Sequence, residues 1–396
     1  MVQLMIVHFQ MDKKLKKAIR KELRMLTDEE RNEIFAAIRE MKNNGDYDYI
    51  ASVHRDAVYS GCAHGGQAFF LFHREYTKRF EILLRKRNPT LFLPYWDSTL
   101  ESRLPNPEDS ILFTDLFMGT TNSNGYGNPY ISRNLGQEGR CFNEDDINWI
   151  LAQTQIENIL SYTLLDKGCP YKQNWRWCEF IHGKSHRWIG GDMAYIEQSA
   201  NDPLFMKFHC FVDYLLEIWR QKQQNREQRV TEYPKDLSEC TPVCHFKNAT
   251  MSQFAPLKNA DGLRNEYTDN LYEYAPRPTC TNSDVECGSK YLFCDLSHDS
   301  PHCAAKVKPG GNCKGFNKGE QVCFNSTCQS DGICVFEMQN IETTSIKIQN
   351  QKEITTLNAK TSLENETTSK QFNKQLNLEK ETIFEYTTKI TKKNKH

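Results

Sequence analysis

The first regular pattern of apolar and polar positions along the chain predicts an amphipathic helix before residue 45. In LTDEERNEIFAAIREMKNNG, the apolar side chains that share one helical face are Ile34, Phe35, Ile38 and Met41. Thr27 and Glu30 have the spacing of a capping box, which marks the start of a helix. The Asn-Asn-Gly run at 43–45 is a helix stop signal.

Other helical stripes include a histidine among large apolar side chains. One stripe consists of Phe69, His73, Tyr76, Phe80 and Leu83, and another consists of Phe205, His209, Val212, Leu216 and Trp219. Asp202 is the predicted N-cap of the second helix, and Pro203 is its first residue. His54 follows Ile50 and Val53 on a further predicted helix. The spacing therefore predicts that His73 and His209 point into the core.

We predict that residues 1–275 form one mainly α-helical domain. Within it, residues 103–145 are rich in Gly, Asn and Pro and predict long loops, and the polar residues 220–260 predict a surface excursion. Residues 276–336 form a cysteine-rich module, whose pairing is open because eight cysteines allow 105 connectivities. Residues 337–396 contain few large apolar side chains and predict a disordered tail.

Charge and hydropathy give no support for binding to nucleic acid or for association with a membrane. The 50 Lys and Arg residues nearly balance the 51 Asp and Glu residues, so no overall field favours nucleic acid or an anionic membrane. No run of about 20 apolar residues occurs, so we expect no transmembrane segment.

The cysteines and sequons indicate an exported protein. Eight of the 15 cysteines fall between Cys280 and Cys334, a density typical of disulfide-stapled modules made in oxidising compartments. Asn248, Asn325 and Asn365 begin glycosylation sequons. The apolar start of the chain is short and lacks a cleavage site, so no signal peptide is readable. We therefore expect secretion, on the cysteines and sequons alone.

Six of the 11 histidines fall into two groups of three. The groups are His54, His64 and His73, and His182, His186 and His209. His182 and His186 are four residues apart, which places both imidazoles on one face of a helix. A single core-facing histidine is more often a hydrogen-bonded structural residue. Several buried imidazoles together would each carry a desolvation cost that a metal removes, so we interpret both groups as metal ligands.

The residues around the histidine pair narrow the choice of metal. A zinc protease motif needs Glu directly after the first histidine, but residue 183 is Gly. A di-iron carboxylate site needs Glu-x-x-His on two helices, and only Glu179 and His182 have that spacing. Sets made only of imidazoles suit copper, zinc, iron or nickel. Two three-histidine sets from helices favour a pair of facing copper ions.

At this point the sequence resembles the type 3 copper proteins, specifically invertebrate-type tyrosinases. The resemblance rests on RMLTDEER, KNNGDYDYIASVH, CAHGGQAFFLFHREYTKRFE, LPYWDS, IHGKSHRWIGGDM and NDPLFMKFHCFVDYLLEIW, which span about residues 20 to 220. Tyr272 and Tyr274 resemble the tyrosine pair that closes this domain in the family. The resemblance implies a four-helix-bundle dicopper domain with long loops.

The resemblance also implies roles for individual residues. His54, His64 and His73 would bind the first copper, and His182, His186 and His209 the second. A thioether would join Cys62 to His64, with a free or disulfide-bonded Cys62 as the alternative. Phe69 and Phe205 would pack the ligands, and the carboxylate of Asp213 would orient an imidazole.

The implied activity is that of a phenol oxidase, which uses O2 to convert catechols, and in some members monophenols, to ortho-quinones. Substrates would be phenolic or catecholic small molecules or tyrosyl groups of proteins, and the quinones would serve melanin formation, tanning or cross-linking. Tyrosinases with strong monophenol activity often carry Asn where this chain has Gly183, so catechol oxidation is favoured. Glu179 is either an acid/base substitute or a salt-bridged surface residue, and Arg187 either shapes substrate charge preference or is simply solvated.

Two other functions stay open at the level of sequence. A haemocyanin-like oxygen carrier would use the same copper pair, but carriers typically repeat this domain or cover the site with a β-rich partner. A copper-free matrix or shielding protein would not need six ligands. The cysteine-rich segment resembles extensions of mollusc and worm tyrosinases, and it could anchor the enzyme in an extracellular matrix, cover the copper site or stabilise the chain.

Overall fold

The computed structural model describes residues 15–119, 131–165 and 167–336, and these residues confirm the mainly α-helical fold class. The helices are α1 (Asp28–Asn43), α2 (Asp46–Tyr59), α3 (Phe69–Arg87), α4 (Thr99–Ser102), α5 (Glu144–Ala152), α6 (Cys178–Ile189), α7 (Pro203–Gln223) and α8 (Gln228–Thr231). The strands are β1 (Ala18–Arg20), β2 (Tyr272–Tyr274), β3 (Leu292–Asp295), β4 (His302–Ala305), β5 (Thr327–Cys328) and β6 (Cys334–Val335). Short 3₁₀ turns lie in several of the connections. The predicted tail at 337–396 lies outside the described residues.

The predicted helix boundaries are confirmed where capping signals mark them. Thr27 caps α1, and Thr27 and Glu30 form both hydrogen bonds of the capping box. The helix ends at Asn43, and Gly45 follows with a φ of +83°, a conformation that disfavours a side chain. The side chain of Asp202 caps α7, and Pro203 is its first residue. Local sequence therefore determines where these two helices begin.

Helices α3 and α7, which carry His73 and His209, form the centre of the core. Helix α3 packs against α7, α1 and α2, and α5 also packs against α7. Large side chains on α3 and α7 are fully buried, among them Phe72, Tyr76, Phe205 and Trp219. At the edge of this core, β1 pairs in parallel with β2, so that the Tyr272–Tyr274 segment lies beside the start of the described chain.

The cysteine-rich segment forms two small antiparallel sheets, β3–β4 and β5–β6. Four disulfides hold it: Cys280–Cys294, Cys287–Cys303, Cys313–Cys328 and Cys323–Cys334. Its apolar cluster includes Leu100 and Leu104 from the helical part. Tyr291 accepts a hydrogen bond from Arg31 of α1 through its hydroxyl oxygen, at 2.5 Å. The domain boundary at residue 276 stays a prediction, and the contacts show that the segment packs on the helices.

The prediction of a surface excursion at residues 220–260 is wrong for much of its length. Helix α7 continues to Gln223, and Cys240, His245 and Met251 are completely buried. Two disulfides, Cys169–Cys240 and Cys62–Cys244, tie this segment to distant parts of the chain. The polar composition of the segment does not reveal these buried side chains and disulfides, because only the tertiary structure shows which side chains point inward. Among the described residues, no helix has the length and apolar character needed to cross a bilayer.

Candidate metal centre

The structure brings the six predicted histidines together in the two predicted groups. His54 lies on α2, His73 on α3, His182 and His186 on α6, and His209 on α7. His64 is different, because it lies in the loop between α2 and α3. In each group, one ring nitrogen per histidine lies within 4.8 Å of the others.

The first triplet converges through the Nε2 atoms. His54 Nε2 lies 3.2 Å from His64 Nε2. The ring of His73 lies 4.9 Å from that of His64 and 5.5 Å from that of His54, measured between centroids. His73 Nδ1 donates a hydrogen bond to the carbonyl of Phe69 at 2.7 Å, and its buried Nε2 has no partner among the described residues. That Nε2 atom is therefore a bare donor atom for a metal.

The second triplet has the same construction. His182 Nε2 lies 3.2 Å from His209 Nε2, and His186 Nε2 lies 3.3 Å from the same atom. His182 Nδ1 donates to the carbonyl of Glu179 at 3.1 Å, and His186 Nδ1 donates to the carbonyl of Met193 at 2.9 Å. The three Nε2 atoms thus face one another.

These hydrogen bonds show which ring nitrogen is free for a cation in one histidine of the first triplet and in two histidines of the second. A carbonyl oxygen only accepts, so Nδ1 carries the proton in His73, His182 and His186, and Nε2 presents its lone pair. The Nε2 lone pairs of His182 and His186 both face His209, which has at most one proton to offer there. A metal ion at the centre satisfies all three nitrogens, and the outward Nδ1 hydrogen bonds are those that orient metal-bound imidazoles.

Burial keeps five of the six imidazoles neutral, which is the form that binds metal. Desolvation lowers the pKa of His54, His73, His182 and His209 well below the usual value, and neighbouring histidines lower the pKa further. For His186, burial lowers the pKa to about 3. The lone pairs are therefore available at neutral pH without competition from protons.

Two phenylalanine rings lie where the resemblance implied. The ring centroid of Phe69 lies 4.8 Å from that of His73 and 4.9 Å from that of His182, so Phe69 packs against both triplets. Phe205 lies 4.7 Å from His54 and 4.1 Å from His209, so it also bridges them. Phe208 stacks on His182 with 5.5 Å between ring centroids and an interplanar angle of 7°. These rings give the centre an apolar surround.

The implied thioether between Cys62 and His64 is wrong in this structure. Cys62 forms a disulfide with Cys244, with a Cα–Cα distance of 5.6 Å. This distance is typical of disulfides, and a sulfur atom in a disulfide has no valence left for a thioether. The structure therefore supports the disulfide alternative. Of the 15 cysteines, the three outside disulfides are Cys141, Cys178 and Cys210, all buried.

The role implied for Asp213 is also wrong, because its carboxylate orients no imidazole. It accepts hydrogen bonds from Arg74 Nε at 2.6 Å, from the hydroxyl of Tyr272 at 2.7 Å and from the hydroxyl of Tyr274 at 2.6 Å. His209 Nδ1, on the same helix, has no partner among the described residues. Asp213 faces the tyrosine pair and the buried arginines, and it joins β2 to the helical core.

A cavity of about 400 Å³ opens over the two triplets. His64, His182 and His186 lie in its lining, so both triplets are reached from it. Leu164, Trp175, Phe180 and Ile196 supply much of its apolar wall, and Lys184 and Arg187 lie in the same wall. None of its lining residues belongs to the described cysteine-rich segment at 276–336, so the alternative in which this segment covers the site has no support in the described structure.

Glu179 and Gly183 lie in this cavity wall, one helical turn apart on α6. One carboxylate oxygen of Glu179 accepts a hydrogen bond from the amide of Gly65 at 2.7 Å, and the other accepts one from the hydroxyl of Thr163. Glu179 Oε1 also lies 3.4 Å from His64 Nδ1. Glu179 is therefore neither a free base nor a salt-bridged surface residue. At Gly183, a Cβ atom would meet no heavy atom within 4 Å.

Sequence reasoning missed one residue beside the centre, His245. Its ring is completely buried against the loop that carries His64. Nε2 donates to the carbonyl of Gly61 at 3.0 Å, and Nδ1 accepts from the amide of Ala68 at 3.3 Å. The only sequence signal was that His245 adjoins Cys244, and a cysteine partner at residue 62 cannot be assigned from spacing.

Comparison with known proteins agrees with this geometry. Residues 44–222 match the family model described as the common central domain of tyrosinase. The chain is 47% identical over 338 residues to the putative tyrosinase-like protein tyr-3 of Caenorhabditis elegans, which covers 83% of the chain and 48% of that protein. It is 31% identical over 299 residues to tyrosinase-like protein 1 of Margaritifera margaritifera, which covers 69% of the chain and 57% of that protein. It is 30% identical over 236 residues to hemocyanin 1 of Megathura crenulata, covering 52% of the chain and 6% of that protein.

Two facing triplets of imidazoles in a helical core, together with the family match, identify a type 3 copper protein. Proteins of this class bind two copper ions, and both triplets fit them. Within the class, the chain belongs to the tyrosinase family. It spans about half the length of the tyrosinase-like relatives it matches.

Proposed function

We propose that this protein is a dicopper phenol oxidase that oxidises catechols to ortho-quinones with O2. The observation that carries the proposal is the open cavity, which reaches both histidine triplets and has room for a small aromatic molecule. In the overall reaction, two catechols and one O2 yield two ortho-quinones and two waters. His54, His64 and His73 would hold one copper, and His182, His186 and His209 the other.

When bound, the copper pair supplies the two-electron chemistry with O2. The protein binds and orients the substrate and excludes water from the site. The rings of Phe69, Phe205 and Phe208 pack against the imidazoles and exclude water from their far side. The carbonyls that accept from Nδ1 of His73, His182 and His186 keep these protons away from the metal side. Trp175 and Phe180, whose rings lie 4.7 Å apart, provide an aromatic wall for a phenolic ring.

Catechols are favoured over monophenols because the one carboxylate among the described lining residues, Glu179, is not a free base. Both carboxylate oxygens of Glu179 are engaged by Gly65 and Thr163. Gly183 has no side chain that could position a water to deprotonate a phenol, although the space for one exists. A catechol loses its first proton more readily than a monophenol, so it depends less on such help.

The alternative is a haemocyanin-like oxygen carrier. Its support is the similarity to hemocyanin 1, which extends over 52% of the chain. Two apolar side chains at the cavity, Leu164 and Trp175, are each 62% exposed to solvent. They favour the enzyme, because a carrier binds only O2 and needs no apolar surface for an aromatic ring.

An oxygen-consumption assay tests both functions. Copper-loaded protein is supplied with 4-methylcatechol or with 4-methylphenol under air, and quinone formation is followed in parallel. We expect rapid turnover of the catechol and slow turnover of the monophenol. Reversible O2 binding with no turnover of either would establish the carrier, and rapid monophenol turnover would contradict the argument from Gly183. The His54→Ala variant serves as the control without an intact first triplet.

We also propose that the protein is secreted and glycosylated and acts outside the cell. The support is the six disulfides in the described residues, which are typical of proteins made in an oxidising compartment. The sequon residues Asn248 and Asn325 are exposed, and Asn365 lies outside the described residues. In that setting the quinones would serve melanin formation, tanning or cross-linking of tyrosyl proteins, with an extracellular matrix as the partner.

A further inference from the structure

His64 differs from the other five histidines in how the chain holds it. Five lie on helices, whose backbone hydrogen bonds fix the direction of each side chain. His64 lies in the loop between α2 and α3, where the described structure has only turns and bends. A metal ligand on a loop needs restraint from elsewhere in the fold to stay in place.

One restraint comes from the segment around residues 240–245. The Cys62–Cys244 disulfide joins the chain two residues before His64 to this segment. His245, the next residue, spans the loop, because its Nε2 donates to the carbonyl of Gly61 and its Nδ1 accepts from the amide of Ala68. One imidazole thus connects the two ends of the loop that carries His64. Both ring nitrogens of His245 are used in this way, so it has none left for a metal.

Steric contacts show how closely this segment presses on the loop. A Cβ atom added at Gly66 would lie 2.4 Å from Thr241 Oγ1 and 2.8 Å from the ring of His245. On the other side of the loop, a Cβ atom at Gly65 would lie 2.3 Å from the side chain of Leu164. The two glycines after His64 therefore let the loop fit between two packed segments.

The opposite side of the loop is held by α6 and the chain before it. Glu179 accepts from the amide of Gly65, and the amide of Leu164 donates to the carbonyl of Gly65 at 3.0 Å. These contacts hold the backbone just after His64, whereas Cys62 and His245 hold the backbone before it and at the start of α3.

We propose that His245 is a positioning residue for His64, and that His245 and the Cys62–Cys244 disulfide form a clasp that fixes this ligand for the first copper. The proposal rests on the proposed dicopper function and adds to it a reason for the segment at 240–245. The clasp does in this chain what the implied thioether would have done. It acts on the first copper, since His64 belongs to that triplet.

Competitive copper binding tests the clasp. Wild-type protein and the His245→Phe, His245→Gln and Cys62→Ser/Cys244→Ser variants are loaded with copper and exposed to graded concentrations of a copper chelator, and the copper per chain is measured. We expect His245→Phe to weaken one of the two coppers by about 10- to 100-fold, the range for residues that orient ligands, and to leave the other unchanged. His245→Gln, whose side chain can still donate and accept hydrogen bonds, should lose less copper affinity than His245→Phe. The Cys62→Ser/Cys244→Ser variant should lose affinity for the same copper.

The matched control is the Cys169→Ser/Cys240→Ser variant, which removes the other disulfide of the same segment, and neither of its cysteines lies in the loop between α2 and α3. It should keep both coppers, even if its thermal midpoint falls. The clasp is wrong if folded His245→Phe retains both coppers as tightly as wild type, or if the control loses the same copper. If His245→Phe does not fold, the two cysteine-pair variants decide the question by the same comparison. A wild type that binds two coppers but turns over no catechol would contradict the proposed function alone.

Discussion

His73 and His209 stack on each other with 4.1 Å between ring centroids and an angle of 16° between ring planes. They come from different triplets, on α3 and α7, which pack together along the core. The two triplets are therefore parts of one centre, and the packing of these two helices determines the separation of any metals bound there.

Removing a ligand from one triplet should abolish turnover while sparing the other metal. We expect His209→Ala to weaken the second copper by more than about 100-fold, beyond the range for residues that only orient ligands. The first copper should remain, but a catechol assay should show no turnover, because the reaction needs two electrons delivered together. His298→Ala, at a half-exposed histidine outside the centre, should keep two coppers and full activity. Activity in His209→Ala with one copper would contradict a dicopper mechanism.

The buried histidines should make the copper-free protein sensitive to acid. The pKa of His186 is about 3 in the folded chain and near 6.5 when unfolded, so the unfolded chain binds more protons between these values. Stability is therefore fully present above pH 6.5 and is lost as the pH falls towards 3. His54, His73, His182 and His209 act in the same direction. The slope is at most about 1.4 kcal/mol per pH unit for each histidine.

Urea unfolding of the copper-free protein between pH 7 and pH 5 measures this slope. Glu101 opposes the trend, since burial raises its pKa to about 7 and its folded form gains protons in the same interval. Burial also raises the pKa of Glu22, but five histidines outweigh two glutamates, so we expect the unfolding free energy to decrease with acid. The His186→Gln variant should show a shallower dependence than wild type. A stability that does not change with pH, or increases with acid, would contradict neutral burial of the triplets.

Gly183→Asn should raise monophenol activity relative to catechol activity. The position faces the cavity and has open space where a side chain would begin. An amide there can hold a water near the substrate hydroxyl, and we expect a gain of about tenfold for 4-methylphenol, below the usual range for general-base catalysis. Catechol turnover should change little. Gly183→Ala is the matched control, and an equal gain in this variant would rule out a role for the amide.

Lys184 and Arg187 should favour substrates that carry a negative charge. Both lie in the cavity wall, and among the described residues neither forms an ion pair. Replacing either with Glu should raise the KM for 3,4-dihydroxyphenylacetate by about two- to fivefold, which corresponds to an exposed ion pair. The KM for 4-methylcatechol, which is neutral, should stay constant. Lys222→Glu, at an exposed position outside the cavity, controls for net charge, and a similar change in that variant would remove the specific role of the wall.

The two exposed sequons give a direct test of glycosylation. Expressed through a eukaryotic secretory pathway, the protein should carry glycans at Asn248 and Asn325, both of which are exposed. Glycosidase treatment should lower the apparent mass, and each Asn→Gln substitution should remove one step of that shift. Secreted material without a mass shift in the wild type would show that the sequons are not used.

The sequence by itself determined the helices and the six histidines that we propose as copper ligands. The capping signals at Thr27 and Asp202 and the apolar stripes through His73 and His209 are local, since a helical period of 3.6 residues decides which side chains share a face. The spacing of four residues likewise placed His182 and His186 on one face of a helix. These features need no knowledge of distant contacts, and for that reason they were readable before the fold.

Only the tertiary structure decided what surrounds the ligands. It paired Cys62 with Cys244 across 182 residues, placed His245 over the His64 loop, and turned Asp213 towards Tyr272 and Tyr274 instead of an imidazole. Such contacts join residues far apart in the chain, and one spacing is compatible with many of them. The physical reason is that a partner across the core is chosen by packing and hydrogen bonding in three dimensions, which the local pattern of apolar and polar positions does not record.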